Sequence, residues 1–367
     1  MKTLTVYFAI TNHGFGHATR TASVVEALAK ICSDRLIEFK PILATTAPLW
    51  LLESYISQPF IYHPVILDIG VVQSDSLTMD KTTTLKQLQN LYDNQNITVA
   101  QELELIKANG VDLIFADIPP LAVAIAQAAN IPCWMSSNFG WDLIYQDWQG
   151  FELIVDWIQV LYGQSDRLLR LPFHAPMNAF PQIQDLGFTG GMPKYDPESL
   201  RKELGLSSDR PTILLTFGGL SLESIPYQNL AEFPDWQFLT FDRHAPEVKN
   251  LKNLSFKKLR PVDVMPLSDR LLTKPGYSTL SEACRLDLPT ICLTRQGFKE
   301  AEYLLQGLEN YSHHLIISPE DFYSSNWQFL EQQTNPPKLR AEEEHIYELP
   351  DKFGELAIAN EILSLVT

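Results

Sequence analysis

The chain has 367 residues, of which 45% are hydrophobic and 20% are charged. This composition excludes an intrinsically disordered chain, a collagen and a coiled coil, and at roughly 100–200 residues per domain the length predicts two domains. The 28 basic and 44 acidic side chains give a net charge of −16, so the surface repels phosphate backbones and nucleic acid is not expected as a partner.

Strand-like and helix-like runs alternate along the first half of the chain. Apolar and β-branched runs predict strands at residues 4–10, 37–44, 60–67, 112–116 and 131–136. Apolar residues with a period of about 3.6 predict helices at residues 18–31, 85–107 and 121–129. Such alternation is typical of α/β architecture with parallel sheets.

A second α/β series follows the segment at residues 190–197, whose glycines and prolines we interpret as a linker between domains. Strands are predicted at residues 212–217, 236–241, 271–273 and 290–294, and a helix at residues 353–366. The predicted domains are residues 1–190 and residues 191–350, with residues 351–367 as a C-terminal helix that packs back on the first domain.

The cysteines and the apolar runs predict the compartment. Four cysteines lie far apart and form no CxxC pair, so neither a zinc site nor a secreted disulfide framework is expected. The first residues lack the pattern of a signal peptide, and no run of about 20 apolar residues is present to span a membrane. We therefore expect a cytoplasmic protein.

A loop with two histidines and two glycines, His13-Gly14-Phe15-Gly16-His17, lies between the first predicted strand and helix. Its glycines allow a tight turn and a close approach to a ligand at a helix N-terminus. Thr19 stands where a dinucleotide fingerprint has its third glycine, and no Walker lysine follows. Because the glycines keep His13 in the loop, we predict no metal pair. The loop carries either a catalytic or substrate-contacting histidine or a structural cap.

Asp117 stands at the end of a predicted buried strand, in the run Phe115-Ala-Asp-Ile-Pro-Pro120. The carboxyl ends of parallel strands are where α/β proteins place their sites. Asp117 can therefore orient a histidine of the neighbouring loop and stabilise its imidazolium form. Alternatively, it caps the helix that begins after Pro120.

The third motif, Lys274-Pro-Gly276-Tyr-Ser278-Thr279-Leu-Ser-Glu282, joins a predicted strand to a helix. Free N–H groups and the hydroxyls of Ser278 and Thr279 predict a diphosphate cradle. Glu282 lies one turn further along, where its carboxylate can accept two sugar hydroxyls. The alternative is a capping box, in which Ser278 or Thr279 caps the helix and Glu282 reaches back to it.

These motifs resemble those of the GT-B superfamily of glycosyltransferases. Gly276, Glu282 and Pro289 have the spacing of the signature box of plant small-molecule glycosyltransferases, and this region is similar to the bacterial transferase that adds N-acetylglucosamine to the peptidoglycan lipid precursor. The loop at residues 13–20 resembles the glycosyltransferase-like region of plant L-arabinokinases. The resemblance implies two Rossmann-like domains with parallel sheets facing an interdomain cleft, with the nucleotide sugar on the C-terminal domain and the acceptor on the N-terminal one.

The resemblance also implies roles on the acceptor side. His17 takes the position of the general base, and Asp117 takes that of its orienting partner. His13 is a rival for the base, because it belongs to the same acceptor-side loop as Gly14 and Gly16.

On the donor side, the resemblance makes Ser278 and Thr279 diphosphate contacts and Glu282 a ribose contact. The other implied donor-binding residues lie in the same half of the chain: Gly218, Gly219, Arg260, Lys274, Gly276, Glu300 and Glu302. Lys274 stands where the plant enzymes have a histidine, and Glu300 and Glu302 lie near the place of the Asp/Glu-Gln pair that reads sugar hydroxyls. These departures leave the donor sugar open.

The predicted function is transfer of a sugar from a UDP-type donor to a hydroxyl of a small-molecule or glycan acceptor, with inversion. The nucleotide sugar is a co-substrate, no cofactor is expected, and the absence of a DxD motif favours metal-independent chemistry. A UDP-sugar epimerase and a non-catalytic nucleotide-sugar-binding module are the alternatives. Product analysis distinguishes an epimerase from a transferase, and binding of UDP without turnover would indicate a binding module.

Aromatic side chains are concentrated between residues 134 and 162, where four tryptophans lie: Trp134, Trp141, Trp148 and Trp157. They either line an acceptor pocket or belong to a large amphipathic helix packed on the core. We favour the core.

Overall fold

The structure is a computed structural model that describes residues 2–73, 79–218, 222, 224–295, 297–341 and 350–365. The chain divides into two compact units. The first unit contains the chain up to Gly190 together with the segment from Pro350 onward, and the second unit begins at Gly191. Each is built on a parallel sheet, which confirms the predicted α/β class.

The described part of the first unit contains a sheet of seven parallel strands. They are β1 (Thr3–Ile10), β2 (Glu38–Ala44), β3 (Ile61–His63), β4 (Leu113–Asp117), β5 (Cys133–Ser137), β6 (Arg167–Arg170) and β7 (Ile183–Asp185). Their order is β3-β2-β1-β4-β5-β6-β7. β1 and β4 are buried almost throughout, as expected for central strands covered on both faces. Ile10 pairs with Asp117, so the ends of these two strands lie side by side.

The second unit has a six-stranded parallel sheet within the described residues. Its strands are β8 (Thr212–Leu215), β9 (Gln237–Thr240), β10 (Leu251–Asn253), β11 (Arg270–Thr273), β12 (Thr290–Leu293) and β13 (His314–Ile317). Their order is β10-β9-β8-β11-β12-β13, so the chain order reverses between β8 and β11 just as it does between β1 and β4.

Helices connect the strands of both sheets. Those up to residue 190 are α1 (Gly16–Asp34), α2 (Leu49–Tyr55), α3 (Lys81–Asn109), α4 (Leu121–Ala129), α5 (Trp141–Tyr145) and α6 (Glu152–Tyr162). Those after it are α7 (Pro197–Glu203), α8 (Pro261–Val264), α9 (Tyr277–Arg285), α10 (Glu300–Tyr311), α11 (Pro319–Tyr323), α12 (Lys338–Ala341) and α13 (Gly354–Leu363). α13 belongs to the first unit and packs against α1. None of the helices described is long and apolar enough to cross a membrane.

Two sequence expectations about these elements are wrong. The strand expected at residues 60–67 is confined to Ile61–His63, because Pro64 has no N–H to continue the ladder. The aromatic stretch forms two helices, α5 and α6, rather than one, because the chain turns between them at Gly150, whose φ is +85°.

Candidate active site

A cluster of polar side chains lies at the carboxyl ends of β1, β4 and β5. His17 begins the first turn of α1 after the glycine loop, Asp117 is the last residue of β4, and Ser137 is the last residue of β5. Because the strand order reverses between β1 and β4, this edge is the switch point of the sheet, where α/β proteins form their ligand sites.

The Asp117 carboxylate accepts hydrogen bonds from three side chains of α1. His17 Nδ1 lies 2.7 Å from Oδ1, and Thr21 Oγ1 donates to Oδ2 at 3.1 Å. Arg20 forms a fork, with Nε donating to Oδ2 and Nη2 donating to Oδ1, both at 2.6 Å. Burial alone would raise the pKa of Asp117, but the charges of Arg20 and His17 lower it from 3.8 to about 2. Asp117 is therefore ionised at neutral pH.

The partners of His17 determine which ring nitrogen carries hydrogen. Nδ1 lies 2.7 Å from Asp117 Oδ1 and 2.9 Å from Arg20 Nη2. An ionised carboxylate only accepts, and the two hydrogens of Nη2 have acceptors in Asp117 and in Ser137 Oγ, at 3.0 Å. Nδ1 therefore donates to Asp117, which leaves the lone pair on Nε2. Within the described residues Nε2 makes no hydrogen bond, and 9% of the side chain is exposed.

His13 presents the opposite tautomer. Its Nδ1 accepts a hydrogen bond from the backbone N–H of Val71 at 3.3 Å, so in the neutral ring the hydrogen is on Nε2. Gly70 makes this arrangement possible, because its φ is +62° and a Cβ there would lie 2.6 Å from the His13 Cβ. Of the two histidines, His17 is thus the one with an unprotonated outer nitrogen.

Trp141 packs against both histidines and is one of the buried residues of the aromatic stretch. Its ring centroid lies 5.3 Å from that of His13 and 6.4 Å from that of His17, and it stacks on Tyr145. Its Nε1 donates to Asp68 at 2.8 Å. Trp148 packs in the same aromatic cluster through Tyr145. The favoured core interpretation therefore fits these side chains, with Trp141 also forming a wall of the histidine site.

Backbone strain directly follows Asp117. Ile118 has a φ of +132°, a region that β-branched residues rarely adopt and that is found mainly at functional sites. Its carbonyl accepts from the Tyr162 hydroxyl at 3.0 Å, and that hydroxyl accepts from the Trp141 N–H at 3.3 Å. Tyr162 thus joins the residue after β4 to the start of α5.

Sequence reasoning missed Arg20, Asp68, Ser137 and Asn138. Arg20 lies three residues after His17 on the same face of α1, a spacing that could have indicated a shared partner. It also donates to Asn138 Oδ1 at 2.8 Å. Asp68 lies in the connection after β3, and no sequence pattern links it to a loop more than fifty residues away.

The donor-side residues form a second cluster, in the second unit. Gly218 follows β8 and Lys274 follows the adjacent β11, and a Cβ on Gly218, whose φ is +77°, would lie 3.6 Å from Lys274 Cε. Gly276 is the N-cap of α9, and Ser278 and Thr279 lie inside the helix, so the alternative of a capping box at Ser278 or Thr279 is wrong. Ser278 is buried and Thr279 half-buried in the first turn of this helix.

Gly219 lies outside the residues that the structure describes.

Glu282 and Arg260 are buried beneath the first residues of the second unit. Glu282 Oε1 accepts from the N–H of Gly191 at 2.8 Å, and burial raises its pKa to about 7 although the neighbouring arginines oppose the shift. Arg260 forms an ion pair with Asp263 and donates to the carbonyl of Met192 at 2.6 Å. Both residues therefore form hydrogen bonds to the backbone at the start of the second unit.

Glu300 and Glu302 lie in the first turn of α10 but do not share a face. Glu300 is buried and Glu302 is exposed, as expected for helical positions two apart. They are therefore not placed to act together on one sugar. Among the described residues, no group of three or more His, Cys, Asp or Glu side chains is arranged to hold a metal ion.

Comparison with protein families found no family model that matches the chain. The chain is similar to an L-arabinokinase of Arabidopsis thaliana, with 29% identity over an alignment of 349 positions that covers 89% of this chain. The chain spans 32% of the length of that relative.

Solved structures show the fold. The calicheamicin glycosyltransferase CalG4 matches with a TM-score of 0.65 at 13% identity, covering 100% of this chain and 99% of that one. This chain has the GT-B fold. The same fold relates it to the Arabidopsis thaliana glycosyltransferase UGT89C1 solved with UDP, at a TM-score of 0.59 and 13% identity over 99% of this chain and 94% of that one. A UDP-N-acetylglucosamine 2-epimerase candidate from Listeria monocytogenes also matches, at a TM-score of 0.57 and 13% identity over 100% and 96% of the two chains.

Proposed function

We propose that this GT-B chain is a glycosyltransferase that moves a sugar from a UDP-type donor to an acceptor hydroxyl, with inversion and without a metal ion. The observation that carries the proposal is the His17–Asp117 pair, with Nδ1 2.7 Å from an ionised carboxylate and Nε2 without a hydrogen bond in the described structure. An imidazole held in this tautomer by a carboxylate is a general base ready to take a proton.

The proposed reaction is a single displacement. Nε2 of His17 takes the proton of the acceptor hydroxyl while an electron pair of its oxygen forms a bond to the anomeric carbon. The bond from that carbon to the diphosphate oxygen breaks, and its electron pair leaves with UDP. Attack from the face opposite the leaving group inverts the anomeric configuration.

The second unit supplies the groups proposed for the donor. The N–H groups at the start of α9 and the ammonium group of Lys274, which both follow β11, would stabilise the charge of the departing diphosphate. These groups supply the positive charge that a metal provides in other transferases. The UDP bound to UGT89C1, which has the same fold, supports a uridine nucleotide as the donor. Glu282 remains the proposed ribose contact.

The test replaces the two histidines of one loop. His17→Ala is expected to lower kcat by roughly 10²–10⁴-fold, the contribution of a positioned general base, with UDP affinity unchanged in calorimetry. His13→Ala is the matched control and should cost less, because its Nδ1 already accepts from Val71. If His13→Ala abolishes transfer while His17→Ala does not, the roles must be exchanged. If neither substitution slows transfer, the proposed base is wrong.

An epimerase is the second candidate, because the epimerase candidate from Listeria monocytogenes has the same fold. An epimerase returns a nucleotide sugar with changed stereochemistry and releases no glycoside, so product analysis separates it from a transferase. Binding of UDP without turnover would instead favour a nucleotide-sugar-binding module. We also propose a reducing, cytoplasmic compartment, which the four cysteines support because they are buried and not in disulfides: Cys32, Cys133, Cys284 and Cys292.

A further inference from the structure

An exposed apolar surface lies beside the loop that carries His17. Leu49 and Trp50, the first residues of α2, are 42% and 38% exposed. The half-buried ring of Phe15, the residue before α1, lies edge-to-face with that of Trp50, with 5.8 Å between the two centroids. Phe15, Leu49 and Trp50 are together called the Phe15–Trp50 surface.

Hydrogen bonds and helix packing place Trp50 beside Phe15. β1 and β2 pair in parallel, so the loops that follow them leave the same edge of the sheet. Asn12 Oδ1, in the first loop, accepts from the N–H and the hydroxyl of Thr46 in the second, both at 2.7 Å, and from Thr45 Oγ1 at 3.4 Å. α2 follows the second loop and packs against α1. The arrangement of the two rings is therefore built into the fold.

The chemistry of this surface suits an aromatic ring. Aromatic side chains bind other rings by stacking and by edge-to-face contacts, and a contiguous group of exposed apolar side chains is typical of a binding surface. A sugar would also need hydrogen-bond partners for its hydroxyl groups. Both hydrogen-bond donors of Thr46, three residues before Leu49, are already bonded to Asn12. An aromatic ring therefore fits the Phe15–Trp50 surface better than a sugar does.

The Phe15–Trp50 surface also lies close to the proposed base. Phe15 precedes His17 by two residues, so their Cα atoms are at most about 7 Å apart. We propose that this surface binds an aromatic ring of the acceptor, which makes the substrate class an aromatic alcohol rather than a free sugar. The inference rests on the proposed function of His17, since it is His17 that would take the proton of the alcohol.

Calorimetry with 2-naphthol, an aromatic alcohol, tests the inference without requiring turnover. Trp50→Ala is expected to raise the Kd of 2-naphthol about 10-fold, because it removes one of the two rings, and Trp50→Phe should restore most of the affinity. Tyr323→Ala is the matched control and should leave the Kd unchanged, since Tyr323 is 43% exposed and lies edge-to-face with Phe322 in the second unit. Methyl glucoside, an alcohol without an aromatic ring, should bind more weakly than 2-naphthol.

Four results would overturn the inference: no binding of 2-naphthol to the wild-type protein, an unchanged Kd in Trp50→Ala, an equal rise in Tyr323→Ala, or tighter binding of methyl glucoside. Phe15→Leu removes the second ring of the surface and keeps its apolar bulk. It provides the same comparison if Trp50→Ala fails to fold, and an unchanged Kd in this variant would then overturn the inference.

Transfer assays separate this inference from the proposed function. With 2-naphthol as the acceptor, Trp50→Ala should raise the KM for the alcohol and leave kcat and the KM for the UDP-sugar unchanged. His17→Ala should lower kcat and leave the Kd of 2-naphthol unchanged. Binding that depends on Trp50 without any glycoside formed would reject the proposed transferase and support the surface as a site for aromatic rings. Transfer to 2-naphthol that does not depend on Trp50 would reject the role of the surface alone.

Discussion

Arg20 keeps the carboxyl group of Asp117 ionised. Without a cation beside it, a buried carboxyl group keeps its proton to higher pH. A protonated carboxyl group would not hold the ring of His17 in one orientation as an ionised carboxylate does. The guanidinium fork, with two hydrogen bonds of 2.6 Å, keeps Asp117 ionised. A lysine at position 20 would lose this fork, because an ammonium group is a single point charge.

The low pKa of Asp117 predicts a specific dependence of stability on pH. Its pKa is about 2 in the folded protein and 3.8 ordinarily, so its contribution is complete above pH 3.8 and is lost as pH falls toward 2. The stability difference between wild type and Asp117→Asn, from urea unfolding, should shrink by about 2 kcal/mol across this window. Asp142→Asn is the control, because burial raises the pKa of Asp142 and its removal produces no such loss. A difference that stays constant with pH would show that Asp117 is not held ionised.

At the scale of the element, α1 carries most of the side chains around Asp117 and packs against α13. His17, Arg20 and Thr21 all project from the first turns of α1, so a small rotation of this helix would move three of the groups around Asp117 together. α13 packs along α1, and its first residue approaches the backbone closely: a Cβ on Gly354 would lie 2.3 Å from the carbonyl oxygen of Gly187.

Gly354→Ala should therefore lower the free energy of unfolding by about 1–3 kcal/mol, because the added methyl group forces α13 away from the backbone at Gly187. Thermal or urea unfolding measures the change. Gly163→Ala is the matched control at a helix end, with a φ of −64° and a nearest neighbour at 3.3 Å, and should cost less. Equal losses in the two variants would contradict the close packing of α13.

The sequence predicts those strands and helices whose own residues show a clear apolar pattern. β1 and β4 are mostly apolar, and their predicted bounds agree with the structure to within one residue. β6 begins and ends with arginines that interact with residues distant in the sequence. Arg167 lies over the ring of Trp134 at 3.5 Å and forms an ion pair with Glu361. Arg170 forms an ion pair with Asp185. No local pattern could reveal those contacts.

The same limit applies to the site. His17 follows a strand and Asp117 ends one, so their approach could be predicted, whereas Asp68 contacts residues 56, 57 and 73 positions away in the sequence. For Glu282, the sequence indicated a sugar contact or a cap, and its bond to Gly191 depends on how the chain enters the second unit.

At the scale of the whole molecule, the two units share a sheet topology but carry different side chains at the switch point of the sheet. In each, the strand order of a parallel sheet reverses at its centre, between β1 and β4 or between β8 and β11. The first switch point holds the hydrogen-bonded pair of His17 and Asp117, and the second holds a glycine, a lysine and the start of a helix. This division matches the proposed activation of an acceptor by one unit and binding of a diphosphate by the other.

The most direct test of this account is NMR of the products formed from a panel of UDP-sugars with candidate acceptor alcohols. The account predicts release of UDP together with a new glycoside whose anomeric configuration is opposite to that of the donor, and loss of both products in His17→Ala. A retained configuration, or a UDP-sugar of altered stereochemistry without any glycoside, would contradict it.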